Sequence, residues 1–411
     1  FDRKMFPQVK ELMTEYGEVG LIWFDVPRSP FSDAQAEKIV NMMREAQPAT
    51  LVIGRLGKQQ FVDYLVSGDN GAAGVPTVYY WETPASINHT YGYGVADHDW
   101  KSWEDLAEIM VKVVAHNGNY LLNIGPKSDG SVPKESVEIL HQLGKWVKLN
   151  SEAIFGTECT PYRGESMTTH EWGTCTQRDG TLYLFVQNWP ENGRIDLPLI
   201  KNQPKSVSYL AVADKAELKH GLSTDSRGNT VITIEVPRTA PDADGIIVLK
   251  AEFEGKVELD PIKHAYDQAK RQIVLEGRDF HAITAPKTGI HYNREMGSIH
   301  GFRGADAPVW VFDVPASGEY ELTILSSGHR NLSKNKKNTI RIDQKPVLEF
   351  TVPITKAKST GDDWLNFQPH TIGTVALEKG RSELAIIPAP KQRGWNMSIK
   401  RIVLTRKGQS E

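Results

Sequence analysis

VGLIWFD, residues 19–25, is a nearly continuous apolar run that closes on a carboxylate. Such a run suits a parallel strand buried on both faces. On its N-terminal side Phe6, Val9, Leu12, Met13 and Tyr16 recur at helical spacing, and Gly17 ends the run. On its C-terminal side a helix is predicted over about 33–46, stopping before Pro48. Three further strands follow: ATLVIGR (49–55), TVYYWET (77–83) and NYLLNIG (119–125). Between the last two, Trp103, Leu106, Met110, Val113 and Val114 share a helical face. Ser102 and Asp105 give that helix a capping-box start, and Gly118 follows its end. Another helix opens at Pro133 and carries Val137, Leu140, Leu143 and Val147 on one face. Strand–helix alternation of this kind predicts a (β/α) barrel, with polar loops after each strand at the active face.

From about residue 157 the period becomes two. TLYLFVQNW (181–189), SVSYLAVA (206–213), TVITIEV (230–236) and DGIIVLKAEF (244–253) read as short strands between turns. A second block continues with VWVFDVP (309–315), GEYELTILSS (318–327), NTIRID (338–343), SELAIIPA (382–389) and IKRIVLTR (399–406). The expected fold class is therefore α/β followed by all-β: part of a (β/α)8-type barrel over 1–156, then β-sandwiches over 157–254 and 255–411. A whole barrel takes about 250 residues and eight strands, whereas the first 156 residues supply four clear ones. An N-terminal barrel segment or a partner chain is expected to cover the apolar edges that four strands would leave open.

Composition removes several classes of partner. The 48 basic and 51 acidic side chains leave a net charge of -3, with no basic stripe for nucleic acid. No run of about 18 apolar residues suggests a membrane span. The opening FDRKMFPQVK is not a signal peptide; a secreted or periplasmic chain would have lost one on maturation. Cys159 and Cys175 lie close enough in sequence to pair, but spacing alone does not establish disulfide geometry. Neither reads as a nucleophile or metal ligand. The basic KNKKN (334–338) reads as a solvated loop.

Asp25 is the first candidate for chemistry, because it ends a buried strand where a barrel has its active face. The same place suits a helix N-cap or an ion-pair partner equally well. DYLVSGDN (63–70) and YYWETPASINHTYGYG (79–94) then place Asp63, Asp69 and Glu82 in loops, beside Trp81, Tyr91 and Tyr93. Carboxylates among aromatics are what glycoside hydrolysis needs: one attacks the anomeric carbon and a second protonates the leaving oxygen. For retention of configuration the pair lies about 5–5.5 Å apart. Arg55, closing its strand, could hold a carboxylate ionised, donate to a sugar hydroxyl or make a surface ion pair.

In order along the chain stand GLIWFD, GR, DY with GDN, WETPASIN with YGY, WKS, GNYLLNIGPKSDGSVP and LGKWVKLNSEAIFGT. This series, covering about residues 5–160, resembles the α-L-fucosidases of glycoside hydrolase family 29. The resemblance implies a retaining exo-acting fucosidase, with fucosylated glycans as substrates and no metal or organic cofactor in its chemistry. It makes Asp25 the nucleophile, with Trp23, Arg55 and Tyr91 contacting the sugar. For the acid/base it implies Asp69, with Glu82 as the other candidate and a structural carboxylate otherwise. The family's His- and Trp-bearing first barrel half has no match here. Two alternatives therefore stay open: a retaining glycosidase for another deoxy or galacto-configured sugar, and a non-catalytic carbohydrate-binding protein. Residues 255–411 loosely resemble appended carbohydrate-binding modules, with Trp364 and Trp395 as candidates for stacking on sugar.

Overall fold

The first helix, α1 (Met5–Glu15), buries Val9 and Met13 and leaves Leu12 and Tyr16 exposed, so its apolar stripe is narrower than its sequence suggests. The chain reverses at Gly17, whose φ of 84° is the left-handed conformation glycine adopts without strain. This is a computed structural model; it describes residues 1–25, 32–71, 73–77, 79–166, 170–212, 216–241, 245–282, 290–293, 296–301, 307–359, 361–389 and 396–408.

Five strands run parallel in chain order: β1 (Leu21–Ile22), β2 (Leu51–Val52), β3 (Leu65–Val66), β4 (Trp81–Ser86) and β5 (Gly118–Asn123). Leu21 lies opposite Leu51, a bridge from Ile53 to Tyr64 joins β2 to the next strand, and Trp81 lies between Leu65 and Gly118. Helix α2 (Asp33–Ala46) buries Ala36, Ile39, Val40 and Met43, and Ser32 with Gln35 forms its capping box. Helix α3 (Trp103–Ala115) carries the Ser102–Asp105 box expected from sequence. Helix α4 (Lys134–Leu149) begins after Pro133 and buries Leu143 and Trp146.

Two features of this sheet depart from the sequence reading. Strand β3 lies inside DYLVSGDN, which had been read as loop. The fourth strand begins at Trp81 rather than 77, because Tyr79 and Tyr80 face solvent while the stretch 83–86 is wholly buried. Trp81 fills the interior by crossing Gly118, where a Cβ would come within 2.5 Å of the indole. Its Nε1 donates to the His116 carbonyl at 3.0 Å.

Strands β6 (Gly173–Arg178), β7 (Thr181–Val186), β8 (Arg194–Pro198), β9 (Pro204–Tyr209), β10 (His220–Thr224), β11 (Thr230–Glu235) and β12 (Ile247–Phe253) make two antiparallel sheets, in the orders β6-β7-β12-β9 and β10-β11-β8. Leu184, Leu197, Val207, Ile232 and Leu249 belong to the core they share. Strand β7 is apolar on both faces for a reason. Leu182, Leu184 and Val186 enter that core, while Tyr183 and Phe185 pack against Leu106 and Trp146 of α3 and α4. The helices are thereby held between the parallel sheet and the antiparallel one. Both cysteines are free and buried, Thr160 Oγ1 lies 3.2 Å from Cys175 Sγ, and burial pushes the Cys175 thiol up to about 12.

The described residues of the rest of the chain form a five-stranded and a seven-stranded antiparallel sheet around a core that includes Phe280, Trp310, Phe312, Tyr320 and Leu404. Val75, from the segment between β3 and β4, packs into this same core. The KNKKN stretch is not simply a solvated loop. Lys336 and Asn338 are buried, and the Asn338 and Asn396 amides bond to each other.

Candidate active site

The C-terminal ends of the parallel strands converge on one cleft of about 710 Å³. Trp23 and Asp25 follow β1, and Arg55 comes from a single 3₁₀ turn (Gly54–Leu56) after β2. Gly54 allows that turn to sit against β3, since a Cβ there would be 3.0 Å from the Leu65 Cα. Asp69 lies in the loop after β3, Tyr91 in the loop after β4, and Asn123 at the end of β5. Ligand sites of open parallel sheets lie at this end of the strands.

Arg55 organises the cleft. Its Nη1 lies 3.0 Å from Asp25 Oδ1 and its Nη2 bonds Asp69 Oδ1, so one guanidinium holds both carboxylates. The arginine side chain is only 12% exposed, whereas Asp25 is 70% and Asp69 49% exposed. The cation is thus fixed by the protein, while the carboxylates keep surface for a ligand. Behind it, the guanidinium carbon sits 4.9 Å from the Trp23 ring centre, a cation–π arrangement. Trp23 Nε1 in turn donates to Glu82 Oε1 at 2.8 Å.

Tyr91 Oη donates to the Pro84 carbonyl at 3.1 Å, and Asn123 Nδ2 donates to the Tyr91 carbonyl at 2.6 Å. Burial pushes the Tyr91 phenol up, the Asp69 charge adds to this, and Arg55 opposes it. Gly125 lets the loops after β4 and β5 touch, since a Cβ there would be 3.0 Å from Gly92 and Tyr93 backbone.

Asp25, Trp23, Arg55, Asp69 and Tyr91 therefore come together as the sequence reading expected. Glu82 does not join them in a loop. It lies within β4, half-buried, and serves Trp23 rather than the cleft wall. Asp63 is also displaced, because it precedes β3 and so sits at the opposite end of that strand from Asp69. It binds Arg44 at 2.5 Å and accepts the Val52 N–H at 2.6 Å.

Leu121 is 42% exposed and lines the cleft with Leu122 and Ile124. Trp364 is half-buried against His329, with ring centres 5.5 Å apart, and Trp395 lies outside the described residues. Among the described residues, no cluster of three or more His, Cys, Asp or Glu side chains could hold a metal ion.

The family model for α-L-fucosidase matches residues 1–152, the segment that supplies every residue of the cleft. Over this segment the chain is similar to the α-L-fucosidases. An α-L-fucosidase of Dictyostelium discoideum is 32% identical over 164 residues, covering 39% of this chain and 35% of that protein. The chain thus spans about a third of the length of that curated relative.

Among solved structures, an α-L-fucosidase from Vibrio sp. strain EJY3 covers 99% of this chain and 70% of its own, with a TM-score of 0.63 and 23% identity, a likeness of fold. The α-L-fucosidase isoenzyme 1 of Paenibacillus thiaminolyticus is 28% identical with a TM-score of 0.53, over 61% of each chain. No helix among the described residues is long and apolar enough to cross a membrane.

Proposed function

We propose that this chain carries the nucleophile and acid/base of a retaining exo-α-L-fucosidase acting on fucosylated glycans. The observation that carries the reading is the Arg55 bridge, which places two exposed carboxylates, one from after β1 and one from after β3, on one cation in an aromatic-walled cleft.

Asp25 attacks the anomeric carbon and forms a fucosyl ester, while Asp69 gives its proton to the departing glycosidic oxygen. Asp69 then takes a proton from water, which attacks the same carbon and releases Asp25. A sugar hydroxyl can take over Arg55 Nη2 from Asp69 as the sugar enters the cleft. Trp23 and Tyr91 offer apolar surface to the deoxy sugar. Glu82 is then a positioning residue, holding the indole that backs Arg55.

In the same reading the parallel sheet is part of a (β/α)8-type barrel that a further segment or a partner chain completes. Residues 157–254 and 255–411 are two β-sandwich domains, with Trp364 offered for sugar stacking on the second. A secreted or periplasmic location goes with glycan substrates.

Comparing Asp69→Ala with Glu82→Ala on an aryl fucoside with a good leaving group separates the two carboxylates. Loss of the true acid/base leaves the fucosyl ester to accumulate, and azide then accelerates turnover with retained configuration. Asp69→Ala is expected to behave this way. If Glu82→Ala alone does so, the two roles exchange.

A further inference from the structure

We infer that Asn70 is a positioning residue for Asp69, acting by pinning the GDN loop to the adjacent strand. The inference rests on Asp69 being the acid/base.

Asn70 has a φ of 54°, in the left-handed region that asparagine tolerates better than most residues. Its N–H donates to the Pro84 carbonyl at 2.8 Å. Its side-chain carbonyl accepts the Ser86 N–H at 2.8 Å and faces the Ser86 hydroxyl at 3.3 Å. Ser86 is fully buried, so this carbonyl satisfies a backbone donor that would otherwise be orphaned. Thr83 Oγ1 donates to the Gly68 carbonyl at 3.1 Å and also bonds the Gly71 carbonyl. Three side chains on two neighbouring segments thus fasten the backbone on both sides of Asp69, while its carboxylate stays half exposed.

Beyond its bond to Arg55 Nη2, Asp69 takes its aim from the loop that carries it. A proton donor must be held within about 0.5 Å of its productive position, and a misplacement of about 1 Å costs up to about 100-fold in rate. Removing the Asn70 carbonyl frees the loop without touching any cleft residue.

The test uses the full-length protein with Asn70→Gly, which keeps the left-handed backbone and loses the acceptor. Asn70→Asp keeps both, and Asp69→Ala is the reference. Each is assayed on an activated aryl fucoside and on an unactivated alkyl fucoside, with and without azide, and its Tm is measured.

Asn70→Gly is expected to lose about 10–100-fold in kcat/KM on the alkyl fucoside and several-fold less on the activated one, a weaker copy of Asp69→Ala. Asn70→Asp is expected to keep the wild-type dependence on leaving group. Equal losses on both substrates for Asn70→Gly, or an Asn70→Asp that behaves like it, would overturn the inference. An Asp69→Ala without leaving-group dependence would instead overturn the reading of Asp69. Should Asn70→Gly be unfolded at the assay temperature, the Asn70→Asp comparison still decides.

Discussion

Two of the arginine–aspartate clusters in this molecule are built oppositely. In the cleft, Arg55 is mostly buried, with 12% of its side chain exposed, and its partners Asp25 and Asp69 are exposed. In the C-terminal β-region, Asp363 is wholly buried and saturated. It accepts from the Arg330 N–H at 3.0 Å, Arg330 Nε at 2.7 Å, Arg330 Nη2 at 2.6 Å and the Ala357 N–H at 2.8 Å. A carboxylate with every lone pair engaged ties loops together and can do nothing else. The cleft carboxylates keep exposed surface that a substrate can reach. Ion-pair chemistry is common to both, and the difference between scaffold and reagent is which partner stays open to solvent.

The largest expected effect breaks the cleft cluster. Arg55→Lys keeps the charge but cannot reach both carboxylates with a planar fork. It should lower kcat/KM for aryl fucosides by about 10²–10³-fold, with Tm nearly unchanged because the partners are exposed. Steady-state kinetics beside thermal unfolding checks this, and near-wild-type activity would dissolve the contrast.

A smaller effect, in stability alone, comes from the other cluster. Arg330 and its hydrogen bonds hold the Asp363 carboxyl well below the usual carboxylate range. A depressed folded-state value means that the ionised form stabilises the fold above the ordinary pKa of about 4, and that this stabilisation fades as pH falls toward the folded value. Asp363→Asn should therefore lower Tm by several degrees at neutral pH and leave fucoside turnover intact. The gap between wild type and variant should close below about pH 4. Melting curves across that range would show a constant gap if Asp363 were merely exposed polarity.

What could be read before the structure was whatever local chemistry encodes. The helix over 33–46 and the Ser102–Asp105 capping box depend on neighbours within a turn or two, and both stand where expected; VGLIWFD does contain a strand, but only Leu21–Ile22 of it, and Leu21 is exposed rather than buried. Strand β3 was missed because Leu65 and Val66 stand between Asp63 and the turn-forming SGDN, without the longer apolar run that marks β1 and β2. That miss made Asp63 and Asp69 look like members of one loop, although β3 sends them to opposite ends of the sheet. Tyr79 and Tyr80 pulled the fourth strand too far toward the N-terminus, since exposed aromatics imitate strand composition. Glu82 was read into a loop although the expected strand over 77–83 already contained it. The Arg55 bridge and the Asn70 latch join segments from different strands, and only pairing register brings them together. For the cleft, the ordered motifs carried what spacing alone could not.

The central claim is that Asp25 becomes covalently attached to the sugar. The direct measurement incubates the full-length protein with a fucosyl fluoride bearing fluorine at the carbon beside the anomeric centre, which slows release of the ester. Intact mass and peptide mapping then follow. The account predicts one sugar adduct per chain, on the peptide containing Asp25, formed at the rate at which activity is lost. An adduct on Asp69 or Glu82, or inactivation with no adduct, would contradict it.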